Sequence, residues 1–108
     1  MTEIKFSEWQ KMDLRVGEIL EVNDHPNADK LYVLKVDIGE KEIQLVAGIK
    51  NFYKKDELKG KKIVVFTNLE PAVLRGVKSE GMLLAADKDG RVTLLVPEKN
   101  IESGAKIR

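Results

Sequence analysis

The chain has 108 residues, no cysteine, 34% charged residues and a formal net charge of +1. That length carries one domain, residues 1–108, with a single core, and the missing cysteines exclude a disulfide framework, a thiolate nucleophile and a cysteine zinc site. No apolar run approaches the ~20 residues of a membrane span, and MTEIKFSEWQKMD lacks the apolar stretch of a signal peptide, so a cytoplasmic soluble protein is expected.

Residues 1–12 predict an N-terminal helical turn. Ser7-Glu8-Trp9-Gln10 fits a capping box in which Ser7 caps and Gln10 reaches back, with Phe6 and Trp9 expected over one end of the core. LRVGEILEV (14–22) suits a strand, and Gly17 is placed at a bulge or bend. NDHPNAD (23–29) has loop composition. LYVLKVDI (31–38) is the clearest strand: Tyr32, Leu34, Val36 and Ile38 share one apolar face, with Lys35 and Asp37 opposite. Gly39-Glu40 turns it into Glu42–Ile49, where Ile43, Leu45, Ala47 and Ile49 alternate with Gln44, Val46 and Gly48.

NFYKKDELK (51–59) predicts a short helix stopped by Gly60; its internal KDEL is not a retention signal. KIVVFTNL (62–69) reads as the fourth strand and EPAVLRGVKSEG (70–81) as a long loop. MLLAAD (82–87) reads as the fifth strand, and residues 88–108 as a C-terminal extension containing the turn Lys88-Asp89-Gly90, the run RVTLLVP (91–97) and a last extended piece, Ala105–Arg108. Five short antiparallel strands with a helix between the third and fourth are the ground plan of an all-β, five-stranded OB-fold barrel; a small sandwich is the alternative.

Ligand in such a barrel lies across strands two and three, between the loop joining strands one and two and the loop joining four and five. These are residues 23–30 and 70–81, the two longest loops. Arg75, Lys78 and Ser79 would then sit on a rim able to neutralise and hydrogen-bond phosphates. Gly76 and Gly81 would let backbone approach closely, and Met82 would offer a soft apolar contact to a sugar or base. The plain alternative is a tight corner with Met82 in the core. Charge is uneven along the chain: residues 1–48 carry six Lys/Arg against ten Asp/Glu (net −4), residues 49–108 thirteen against eight (net +5), and on composition alone this reads as a solvated face before it reads as a binding surface. The densest cationic run is Lys50, Lys54, Lys55, Lys59, Lys61 and Lys62.

His25 is the sole histidine and is read as a loop residue, so neither a catalytic triad nor a two-histidine metal site is available. Asp87-Lys88-Asp89-Gly90 resembles the start of a calcium loop, but its Gly comes too early and the closing Glu is missing. P-loop, GxSxG and GxGxxG patterns are absent. The expectation is a binding domain with no catalytic residues, metal or cofactor. With only six aromatics, most given core roles, a base-stacking platform is disfavoured and recognition of phosphates and folded RNA shape favoured.

Several motifs in order carry a family resemblance: DLRVG (13–17), HPNADKLYVLKVDIGE (25–40), AGI, ELKGKKIVV and NLEPAVLRGVKSEGMLLAA (68–86). Together they resemble the tRNA-binding domain appended to methionyl-tRNA synthetases and its free-standing relatives, from about Phe6 to the C-terminus. The resemblance implies an OB-fold barrel with a C-terminal extension, often a homodimer, that binds tRNA with little sequence preference and assists a synthetase without aminoacylating. By position it implies Asn68 from the Asn-Leu-x-Pro element and Ser79, Gly81 and Met82 from the Ser-x-Gly-Met element. Lys30, Arg75 and Lys78 are its cationic partners, and Lys50, Lys54 and Lys55 are added by charge. Expected partners are tRNA, a second copy through residues 88–108, and methionyl-tRNA synthetase, either as a separate subunit or as the protein this domain belongs to. A chaperone-like peptide-binding dimer shares the barrel and is the alternative, with a pure dimerisation module a third.

Overall fold

The computed structural model describes residues 2–108. Apolar alternation sets the sheet: β1 (Leu14–Asp24), β2 (Tyr32–Asp37) and β3 (Glu42–Ala47) form an antiparallel meander, and β4 (Lys62–Phe66) returns to pair with β1. With β7 (Met82–Leu83) the order is β3-β2-β1-β4-β7. The inward phases of β2 and β3 are those read from the sequence: Leu34 and Leu45 are fully buried, and Tyr32, Val36, Ile38, Ile43, Ala47 and Ile49 join them; on β4 the fully buried residues are Ile63 and Val65. A short helix, α2 (Lys55–Leu58), closes one end with Leu58, which has no exposed surface.

β1 must curl to serve both neighbours, pairing with β4 through Leu14–Glu18 and with β2 through Glu18–Asp24. The register shift that permits this falls between Ile19 and Glu21, not at Gly17. Gly17 is needed for another reason: a Cβ there would stand 2.6 Å from Val36 Cγ1.

The barrel closes by a mixture of backbone and side-chain bonds. The Val46 amide donates to Ser79 Oγ at 3.0 Å and the Gln44 amide to Glu80 Oε1 at 3.0 Å. In return the Glu80 amide donates to Gln44 O at 2.8 Å, and Gln44 Nε2 to Lys78 O at 2.8 Å. These bonds satisfy the β3 edge without a regular ladder.

Several local expectations need correction. The N-terminal helix α1 is Phe6–Trp9, so Ser7 lies inside it; the cap position is Lys5, whose amide faces Glu8 Oε1 at 3.5 Å. Phe6 and Trp9 stay on the surface, 70% and 38% exposed, because α1 packs beside the chain end rather than over the core. The long loop contains a ribbon, β5 (Ala72–Leu74) with β6 (Val77–Ser79). The fifth strand divides at Leu84 into β7 and β8 (Ala85–Lys88), and β8 pairs only with β9 (Arg91–Leu94). Finally, residues 104–107 run along β1: the Val16 amide donates to Ala105 O at 2.9 Å and the Ile107 amide to Leu14 O at 2.8 Å.

Candidate nucleic-acid interface

The two longest connections meet at one mouth of the barrel, held by a compact set of hydrogen bonds. Leu74 O can only accept, so His25 Nε2 donates to it, at 2.8 Å. The Asn27 amide can only donate, so His25 Nδ1 accepts from it, at 2.9 Å. Asn27 Nδ2 donates to Arg75 O at 3.1 Å, and Arg75 Nη2 donates back to Asn27 O at 3.1 Å. The segment after β1 and the tip of β5–β6 therefore form one rim.

Cations surround this rim. Lys50 and Lys55 are drawn to it by Asp24 at the end of β1, with Nζ–Oδ distances of 3.1 and 3.0 Å. Hydrogen bonds from Lys55 and then Lys50 hold the Asp24 carboxyl below the usual carboxylate range. This trio keeps one net positive charge. Lys54, Lys30, Lys78 and Arg75 make no ion pair within 4.0 Å among the described residues. All four are exposed, and such charges sum into a field that a single phosphate contact would not need.

Alternation along β6 explains why Lys78 points outward: Ser79 is buried while Lys78 is exposed. The Ser79 hydroxyl accepts from Val46 and donates to Gly81 O at 2.9 Å, so it works for barrel closure. Gly81 is buried, and a Cβ there would lie 2.7 Å from Phe66 O, closer than any side chain allows. Together they set the path that leaves Met82 45% exposed. Met82 is thus outside the core, and with Leu69, Ala72, Leu74 and Val46 it lines a shallow apolar groove beside the hairpin. Asn68 is engaged elsewhere: its Oδ1 accepts from the Asp13 amide at 2.8 Å and its Nδ2 donates to Lys11 O at 2.7 Å. It braces the start of the loop against residues 11–13 and makes no bond to the rim.

Four contributors escaped the sequence reading. His25 is 5% exposed and central, although it was read as an ordinary loop residue; its signal was the short spacing to Asn27, which suits a local side-chain-to-backbone turn. Gln44 and Glu80 close the barrel, and no pattern in a single chain announces such a pair. Lys35 stands on the outward face of β2 directly opposite Gln44, a placement readable only once the β2–β3 register is known. Three of the aromatics, Phe6, Trp9 and Phe52, are exposed rather than in the core. Among the described residues no cluster of three or more His, Cys, Asp or Glu fit to hold a metal is found.

A nearly closed five-stranded OB-type barrel with a cationic two-loop mouth defines a class of domain suited to a polyanion. The family described as "Putative tRNA binding domain" matches residues 14–106. A methionine–tRNA ligase of Thermococcus kodakarensis is 59% identical over 108 residues, covering 100% of this chain and 15% of the ligase. Among solved structures, the MetRS-related protein of Pyrococcus horikoshii superposes with a TM-score of 0.93 at 32% identity over 100% of both chains. The chaperone CsaA of Bacillus anthracis superposes at 0.89 with 30% identity, covering 99% of this chain and 100% of that one. The chain belongs to the tRNA-binding domain family, and it spans only 15% of the length of the T. kodakarensis ligase it matches. No helix among the described residues is long and apolar enough to cross a membrane.

Proposed function

We propose that this chain is a non-catalytic, cytoplasmic module that grips tRNA by its phosphate backbone and folded shape and so assists a methionyl-tRNA synthetase. One observation carries the reading: His25, Asn27, Leu74 and Arg75 bind the two loops into a single rim whose cations Lys30, Arg75 and Lys78, with Lys54 at the cap of α2, make no ion pair among the described residues. Lys50 and Lys55 extend the positive edge, and Met82 and Leu74 offer apolar surface beside it. Ser79 and Gly81 act by shaping the rim, and Asn68 by bracing its base.

A homodimer accompanies this reading. The β8–β9 ribbon has no third strand, and all four residues of β8 are exposed. Leu95 and Val96, 42% and 49% exposed, follow it. β9 is seated on the core through Leu94 and Val92, and a second copy packed over the exposed β8, Leu95 and Val96 would cover the ribbon's free side and place two basic rims on one RNA.

Four phosphate contacts give a slope of log affinity against log salt near −3.6, about a hundredfold loss between about 50 and about 200 mM salt. Filter binding of mixed tRNA reads this directly, and salt-independent binding sinks the proposal. Lys78→Ala and Arg75→Ala should weaken all tRNAs about equally and each lower the slope by about one. The apolar groove beside Met82 favours one competing reading, capture of unfolded peptide. That reading requires suppression of client aggregation that excess tRNA does not relieve.

A further inference from the structure

His25 is the chain's sole histidine and is buried at the centre of the rim. Its two bonds demand one tautomer, with the proton on Nε2 and a lone pair on Nδ1. We propose that neutral His25 is the positioning residue of the tRNA rim, locking the segment after β1 to the β5–β6 hairpin, and that its protonation unlocks the rim and weakens tRNA binding. The inference rests on the tRNA reading above.

The imidazolium has two N–H groups. One would still reach Leu74 O, but the other would confront the Asn27 amide, donor against donor. The ring must then leave its place, or Asn27 must turn away and release its bonds with Arg75. The charged groups on the surrounding elements do not compensate. Arg75 and Lys78 on the hairpin are cationic, Asp24 at the end of β1 is taken up by Lys50 and Lys55, and Asp29 and Lys30 follow along the same segment. Neither ring nitrogen bonds a carboxylate. Phosphates of an RNA backbone stay ionised across the range in which histidine titrates, between about pH 5 and 8, and the comparison with His25→Gln, which cannot take up a proton, separates this ring from every other titrating group.

The test compares wild type, His25→Gln and His25→Ala in tRNA binding at pH about 8 and about 5, at fixed salt. Gln keeps a donor near the Nε2 position and cannot take up a proton. Wild type should bind on the order of tenfold more weakly at the lower pH. His25→Gln should bind a fewfold more weakly than wild type at the higher pH and show no such drop, and His25→Ala should bind more weakly still. A folded His25→Gln with wild-type affinity, or with the wild-type pH profile, overturns the proposal. If His25→Ala fails to fold, the Gln variant and the wild-type profile decide alone. Nitrogen-15 spectra of the imidazole in RNA-free protein read the lock independently: an Nε2–H tautomer supports it and an Nδ1–H tautomer overturns it. A wild-type protein that holds the Nε2–H tautomer yet binds no tRNA instead overturns the tRNA reading.

Discussion

The β5–β6 and β8–β9 hairpins share one turn design and differ in everything around it. The first turns through Arg75-Gly76, with φ of 53° and 89°; the second through Asp89-Gly90, with φ of 52° and 77°. Both central residues of each lie in the left-handed region, as a two-residue hairpin turn requires. Yet β5–β6 is fixed through both strands by His25, Asn27, Gln44 and Val46, whereas β8–β9 is held through β9 alone: Leu94 lies in the core with Val92 packed against it, and its amide donates to the Tyr53 hydroxyl at 3.1 Å, while all of β8 stays exposed. Local turn chemistry makes a hairpin; bonds from distant segments decide whether it is a rigid part of a site. The pinned ribbon presents Arg75 and Lys78 in fixed positions, and the other leaves β8 exposed to another surface.

The strongest way to break this contrast is to unseat the pinned hairpin at its exit. Gly81→Ala forces a Cβ to within 2.7 Å of the Phe66 carbonyl, backbone that cannot yield without moving β4. We expect a loss of about 2–3 kcal/mol, a fall of roughly 10–20 °C in melting temperature. A variant as stable as wild type would mean that the β6–β7 corner relaxes freely and is not a fixed part of the barrel.

Ser79→Ala comes next. It removes the acceptor for the Val46 amide and the donor to Gly81 O, leaving two buried groups unpartnered; about 2 kcal/mol should be lost. Urea unfolding measures it, and the variant should also show faster exchange of the Val46 amide than of its β2-paired neighbours.

The paired substitutions Gly76→Ala and Gly90→Ala test the contrast most directly. The new Cβ meets nothing closer than Asn27 Nδ2 at 3.6 Å in the first and nothing within 4 Å in the second, so each carries a similar backbone strain of about 1 kcal/mol. For Gly76 that strain should appear in global stability and in tRNA affinity. For Gly90 it should appear mainly as faster amide exchange in residues 85–94 and, if the proposed dimer forms there, as a shift toward monomer. Equal losses of global stability would place the second ribbon within the cooperative barrel.

The barrel was readable because its core strands alternate cleanly: the inward set from Tyr32 to Ile49 needs no tertiary knowledge. The convergence of the two loops was readable from the strand order. The anchoring was not. Ser79 and Asn68 look like ligand-facing polar residues in a loop, but Ser79 accepts from the amide of Val46 and Asn68 bonds the backbone of Asp13 and Lys11, all distant in sequence, and single-chain patterns carry no trace of such partners. The β5–β6 ribbon was hidden for a related reason. Arg75 occupies a left-handed position usually given to Asn or Gly, so the turn lacked its common signature, and strands of three residues are too short to show alternation. Phe6 and Trp9 were misplaced because hydrophobicity alone does not say whether a short terminal helix covers the core or lies beside it.

The smallest effect belongs to the corner where the chain enters the pinned hairpin. There Thr67 and Asn68 bond the backbone of Asp13, and the Asp13 carboxylate accepts from Arg15 Nε at 2.9 Å. That hydrogen bond from Arg15, reinforced by its charge and opposed by partial burial, holds the Asp13 carboxyl below its ordinary range. The folded state therefore binds this proton less readily than the unfolded chain. The resulting stability is complete above about pH 4, where the unfolded carboxyl is ionised, and is lost as pH falls through the lower folded value. Asp13→Asn keeps the acceptor oxygen and removes the charge, so it should cost less than about 1 kcal/mol near pH 7. The urea midpoints of variant and wild type should converge as pH drops below about 3, with tRNA affinity at neutral pH unchanged. A gap that persists in acid would show that the carboxylate acts through packing instead of charge. A loss of tRNA affinity would show that the base of the hairpin, and not only its pinned tip, positions the rim.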